Sequence, residues 1–132
     1  MPTTTTALSE ISLVCVPATD QDRSIEFYEQ KLGFEKRTDI PFGDRYRWVE
    51  VYPSAGATGI ALAPPREGDP VGVQTGIVLP TDDIDATHRA LAAAGVDVDA
   101  AVMRVGDPVP PMFWLRDPDG NSLLIVERAE RG

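Results

Sequence analysis

The segment Thr19-Asp20-Gln21-Asp22-Arg23-Ser24-Ile25-Glu26-Phe27-Tyr28-Glu29-Gln30-Lys31-Leu32-Gly33-Phe34 returns in altered form 62 positions later. There Thr81-Asp82 answers Thr19-Asp20, and Ala94-Gly95-Val96 answers Leu32-Gly33-Phe34. Similarity at a fixed interval marks a repeated module. In the first copy Ile25, Tyr28 and Leu32 recur at helical spacing, Thr19 precedes Asp22 by three residues in the manner of a capping box, and Gly33 stops the run. In the second, Asp82 caps, Ile84, His88 and Leu91 line one face, and Gly95 terminates. Each copy therefore reads as a helix with one apolar stripe.

Outward from these helices the pattern changes to that of strands. Short β-branched runs, Ile11 to Val16 and Gly76 to Leu79, precede the helices. Two strands close each copy: Tyr46 to Tyr52 and Gly59 to Ala63 in the first, Met112 to Arg116 and Ser122 to Glu127 in the second. A further strand precedes each pair, near Phe34 to Arg37 and Val96 to Val102. Asp117-Pro118-Asp119-Gly120-Asn121 joins the last two strands as a hairpin turn, where proline fixes φ and glycine supplies φ above zero. Its first-copy counterpart pairs Pro53 with Pro118 and Gly56 with Gly120. The predicted fold is α+β, two βαβββ modules in tandem: module one 9–64, an exposed Pro/Gly-rich linker 65–73 and module two 74–128, within a single domain 9–132 behind a flexible tail 1–8. A helix covers one face of each four-stranded sheet, so the other face is free to curve round a cavity, where function is expected.

Composition limits what that cavity can hold. The 132 residues carry 21 Asp plus Glu against 12 Lys plus Arg, a net charge of -9. That balance opposes a sequence-independent grip on nucleic-acid phosphates or on anionic membrane surfaces, so neither is an expected partner. Histidine and cysteine occur once each, as His88 and Cys15. A Cys-x-x-Cys pair, a zinc helix with two histidines, a Cys/His finger, a two-histidine facial triad and an intrachain disulfide are all excluded. The start, Met1-Pro2 followed by Thr3 to Thr6, lacks the basic and apolar regions of a signal peptide, and a cytoplasmic location is expected.

Taken in order, Asp20 to Tyr28, Lys31-Leu32-Gly33-Phe34, Asp82-Asp83-Ile84-Asp85, Ala94-Gly95-Val96 and Asp117 to Asn121 resemble the vicinal oxygen chelate superfamily. This is the glyoxalase, bleomycin-resistance and extradiol-dioxygenase group, and the resemblance spans about residues 9 to 128. It implies paired βαβββ modules round a cavity and two chains paired as a homodimer. Metal-using members hold their ligands on the first and last strands of each module. Carried over, those positions fall at Leu13 or Ser12, at Gly76 or Thr75, at Leu124, and at Ile60 or Ala61. None is His, Glu, Asp or Gln, and aliphatic side chains offer a divalent ion no donor. No metal ligand, catalytic residue or cofactor is therefore expected.

Individual residues carry paired readings. His88, on the apolar stripe of its helix, reads as a packing histidine with one hydrogen-bond partner, against a general base. Cys15 shares strand parity with Leu13 and points into the cavity, as a small hydrophobe or as a nucleophile. Along Arg47 to Tyr52 the valines take one face while Trp48, Glu50 and Tyr52 take the other, so Glu50 either lines the cavity or sits at a solvated edge. Met112 and Trp114 form a second cavity wall or a packed core, and the Pro-rich loop Arg104 to Pro111 is a lid or a connector. The candidate ligand-binding set is Leu13, Cys15, Tyr46, Trp48, Glu50, Gly76, Met112, Trp114 and Leu124. The leading expectation is a metal-free protein that binds a small organic ligand, as in sequestration or resistance, with Glu50 and the acidic balance suiting a cation. The alternatives are a lyase, isomerase or oxygenase on the same fold, a metal-free pathway enzyme using Glu50, Tyr46 or Cys15, and a non-catalytic partner domain.

Overall fold

The structure, a computed structural model, describes residues 7–44 and 46–128. The first module runs β1 (Leu13–Pro17), α1 (Gln21–Glu26) continued by a π-helical turn (Phe27–Lys31), β2 (Glu35–Phe42), β3 (Tyr46–Tyr52) and β4 (Gly59–Ala63). The second runs β5 (Gln74–Thr81), α2 (Ile84–Ala93), β6 (Asp97–Val98), β7 (Met112–Arg116) and β8 (Ser122–Glu127). Two four-stranded sheets result, ordered β1-β4-β3-β2 and β5-β8-β7-β6. In each, the first and last strands pair in parallel and the remaining neighbours are antiparallel. This is the α+β fold of two tandem βαβββ modules expected from the repeat.

Alternation along the strands sorts the side chains. Val16, Val49, Val51, Ile60 and Leu62 of the first sheet are buried in one cluster with Phe113, Leu115, Leu123 and Ile125 of the second. Ile25 and Tyr28 from the first helical segment and Ile84 and Leu91 from α2 join the same cluster. One core thus lies beneath both helices, and among the described residues no helix covers the opposite face of either sheet.

Several local expectations are corrected. Asp20, not Thr19, caps α1, its carboxylate accepting from the Arg23 N–H at 3.1 Å; Asp83, not Asp82, caps α2, accepting from Ala86 N–H at 3.0 Å. Both caps have extended backbone, the geometry that turns a short carboxylate back onto the first helical turn. The neighbouring acid is left for another task, and Asp82 accepts from Arg128. The first helix is not one α-helix to Leu32, because a π turn opens after Glu26 and ends with the Leu32 N–H on the Phe27 carbonyl. β1 begins at Leu13, leaving Ile11 70% exposed, while β2 extends to Phe42 and β5 spans Gln74–Thr81. The strand expected over Val96 to Val102 shrinks to Asp97–Val98 and an isolated bridge between Met103 and Met112. The expected tail falls, over residues 1–6, outside the described residues.

The Asp117 to Asn121 turn does more than join two strands. The buried Asp117 carboxylate accepts from the backbone N–H groups of Asp119 and Asn121, from Asn121 Nδ2 and from the Tyr28 hydroxyl, each at 2.9 Å. Asn121 Nδ2 also donates to the Pro17 carbonyl at 2.8 Å, and Asp119 receives Thr19 and Arg23. The hairpin of module two is therefore bolted to the strand end and helix of module one.

Candidate binding site on the open sheet faces

On the first sheet, register places one residue from each strand in a row, Cys15 beside Ala61, Ala61 beside Glu50 and Glu50 beside Thr38. All four belong to the face opposite the buried valines. Along β3 the same face presents Trp48, Glu50 and Tyr52, spaced by two. Their side chains meet: Trp48 Nε1 donates to Glu50 Oε2 at 2.6 Å and the Tyr52 hydroxyl donates to Glu50 Oε1 at 2.6 Å. Each carboxylate oxygen is thus held by a neutral aromatic donor. The Tyr52 and then the Trp48 hydrogen bonds hold the Glu50 carboxyl below the usual glutamate range; partial burial opposes them and Thr38 reinforces them. The same contact with Glu50, aided by burial, pushes the Tyr52 phenol up.

Small residues on β4 make this arrangement possible. A Cβ at Gly59 would stand 2.6 to 2.9 Å from three atoms of the Tyr52 ring, so the ring lies directly over the glycine. Next along that face is Ala61, between Cys15 and Glu50. The Arg37 guanidinium stacks 4.5 Å from the Tyr52 ring centre and donates to the Ser54 and Gly56 carbonyls, fixing the ring from the edge strand.

The second sheet presents a largely apolar counterpart, in which Val78 pairs with Leu124 and Leu124 with Trp114, beside Met112 and Val126, and at its end Arg116 pairs with Ser122 and is held by Asp97 and Asp99. Gly76, expected as a cavity residue, sits at a break in the β5–β8 register with φ of +75°, a conformation suited to glycine. Thr75 is spent locally, donating to the Ser122 carbonyl and accepting from the Ile77 N–H. Val78, 52% exposed, is therefore the β5 side chain beside Leu124.

The remaining candidates separate. Leu13 and Cys15 lie on β1, with Cys15 exposed; Tyr46, 48% exposed, starts β3, and the hydrogen bonds to Glu50 come from Trp48 and Tyr52 instead. His88 is half-buried, its Nε2 2.7 Å from the Asp99 carbonyl and its ring edge-on to Phe113 at 4.9 Å. Donation to that carbonyl requires the Nε2-protonated tautomer. The carried-over metal positions fit no divalent ion. Ile60 is buried in the core, Gly76 has no side chain, Thr75 is spent on Ser122 and Ile77, and Leu13, Ala61 and Leu124 present only carbon. Among the described residues no three His, Cys, Asp or Glu side chains gather as a metal site. Tyr52 and Gly59 are absent from the expected set, although Tyr52 shares the parity of Trp48 and Glu50.

A cleft of about 490 Å³ also separates the modules on the helix side, floored by Leu32, Phe34, Leu79 and Leu115 and bordered by Lys31 and Arg128. Both cations are engaged internally, with the Ala94 carbonyl and with Asp82.

Two four-stranded sheets of tandem βαβββ connectivity, sharing one core and each leaving its other face to side chains alone, define a class of paired-module α+β protein. The family model described as Glyoxalase/Bleomycin resistance protein/Dioxygenase superfamily matches residues 10–125, and the chain belongs to that superfamily. It is similar to TnmS3, an antibiotic binding protein from Streptomyces sp. CB03234, with 31% identity and a TM-score of 0.80 over 95% of this chain and all of that one. A superfamily member from Sphaerobacter thermophilus is 31% identical, with a TM-score of 0.83 over 92% of this chain and 98% of that one. The uncharacterised protein YetH of Bacillus subtilis is 28% identical over 91% of this chain and 99% of its own. No helix among the described residues is long and apolar enough to cross a membrane.

Proposed function

We propose that this protein binds a small organic molecule on its open sheet faces, without a divalent metal, in the manner of a sequestering or resistance protein. One observation carries the reading. Where the resemblance to metal-using relatives calls for donors, this chain sets Leu13, Ala61, Gly76 and Leu124, and the same sheet faces carry Trp48, Tyr52, Met112 and Trp114. Apolar and aromatic walls with a few oriented polar groups are the usual composition of a ligand pocket. The antibiotic binding protein among its structural neighbours supports the same reading. Glu50 is ill suited to proton abstraction, because a carboxylate held below its ordinary range is a weak base near neutral pH. A homodimer in the cytoplasm is part of the proposal. Ile40 at 55% exposure and Val78 at 52% leave apolar surface that a second copy would cover while closing each face into a cavity.

Calorimetry and native mass spectrometry against a panel of polycyclic and peptide antibiotics, with and without chelator, test this function. Expected are one-step binding unchanged by chelator and at least a tenfold loss in Trp48→Ala and Trp114→Ala, as removal of an aromatic anchor produces. No binding across the panel, or a stoichiometric divalent ion retained through purification, would overturn it.

A further inference from the structure

We infer that Trp48, Glu50 and Tyr52 form a recognition subsite for an organic ammonium group, so that the molecule bound on the first sheet carries a positive charge beside an apolar or aromatic body. The inference rests on the proposed binding function and specifies its ligand. Held below the usual glutamate range, Glu50 is a carboxylate near neutral pH, and the groups that hold it, an indole N–H and a phenol O–H at 2.6 Å with Thr38 beside them, are neutral. Among the described residues no Lys or Arg forms an ion pair with it. Neighbouring charges are already committed: Asp39 is paired with Lys36 and Arg47, and Arg37 lies over the Tyr52 ring with its donors on Ser54 and Gly56 carbonyls.

The buried structural carboxylate Asp117 is satisfied by four neutral donors, two of them backbone N–H groups. Glu50 instead keeps a formal charge and unused lone pairs on a partly exposed face beside the Trp48 indole, a ring whose π face favours cations. Because the aromatic donors fix the carboxylate before any ligand arrives, little reorganisation is left for binding. A neutral hydroxyl can donate one hydrogen bond to such a group. An ammonium adds its charge and its attraction to the indole, for an expected preference of roughly tenfold or more over a neutral isostere.

Titration of the full chain with 2-(2-naphthyl)ethylammonium and with 2-(2-naphthyl)ethanol, followed by the indole N–H resonances of Trp48 and Trp114, separates the two ideas. Binding of both probes with the ammonium at least tenfold tighter, a preference that shrinks as salt is raised, is the expected result. Glu50→Gln should equalise the two affinities while the alcohol still binds, and Glu50→Asp, which keeps the charge, should retain a preference. If both probes bind wild type equally, or Glu50→Gln keeps the preference, the ammonium subsite is wrong and the binding function stands. If neither probe perturbs either indole, both are overturned. Acid adds a further check. The carboxyl titrates below the ordinary glutamate range, so the preference should persist through pH 5 and disappear only below that range; loss between pH 6 and 5 counts against the subsite.

Discussion

Tyr28 shows how one hydroxyl can hold two modules in register. Its ring is buried against Phe27 and Phe34, and its oxygen reaches Asp117, 89 positions away. Tyr28→Phe keeps the ring and removes only the donor, so it is expected to cost about 1.5–3 kcal/mol, the range for a hydrogen bond to a charged group. Urea unfolding monitored by circular dichroism gives that difference directly. Burial, then the nearby Asp117 charge and hydrogen bond, push the Tyr28 phenol far up from its usual value. A group with a raised folded-state pKa lends stability that is complete below its unfolded value and is lost as pH climbs above it. Wild-type stability should therefore fall with rising pH above about 10, the ordinary phenol value. Tyr28→Phe should show a flatter alkaline limb.

At the scale of elements, β4 makes the site possible by being small. Gly59→Ala brings a methyl group into the Tyr52 ring, and because the ring can swing outward the expected stability loss is only about 1 kcal/mol, the low end for overpacking. The Tyr52 hydroxyl then leaves Glu50, so spectrophotometric titration should find the Tyr52 phenol, raised in wild type, returned toward its ordinary value. Strand parity made Trp48, Glu50 and Tyr52 legible as one face, since period-two alternation needs no tertiary information. The hydrogen bonds between them were not legible, because rotamers decide whether a tryptophan and a tyrosine turn toward the acid between them. The β5 bulge was likewise invisible: one residue of slippage at Gly76 moves Val78 beside Leu124. The caps were missed by one residue because each helix is preceded by competing acceptors, Thr19-Asp20 and Asp82-Asp83, and only backbone geometry chooses between them.

For the whole molecule, the exposed apolar residues on the open faces set the association test. The double variant Ile40→Asp, Val78→Asp is expected to run in light scattering at the 14.3 kDa monomer mass, while wild type runs at twice that value. Each site is more than half exposed, so the variant's own fold should change by about 0.5 kcal/mol or less. A dimer that survives the change would place the contact elsewhere. The hairpin bolt between the modules carries a different consequence. Aligned through Pro53 and Pro118, the position of Asp117 in the second copy is that of Tyr52 in the first, and the position of Tyr28 falls on Ala90 in the second copy. The two equivalent corners have parted company: the second ties one module to the other, while the first, with no bolt left to make, spends its tyrosine on Glu50.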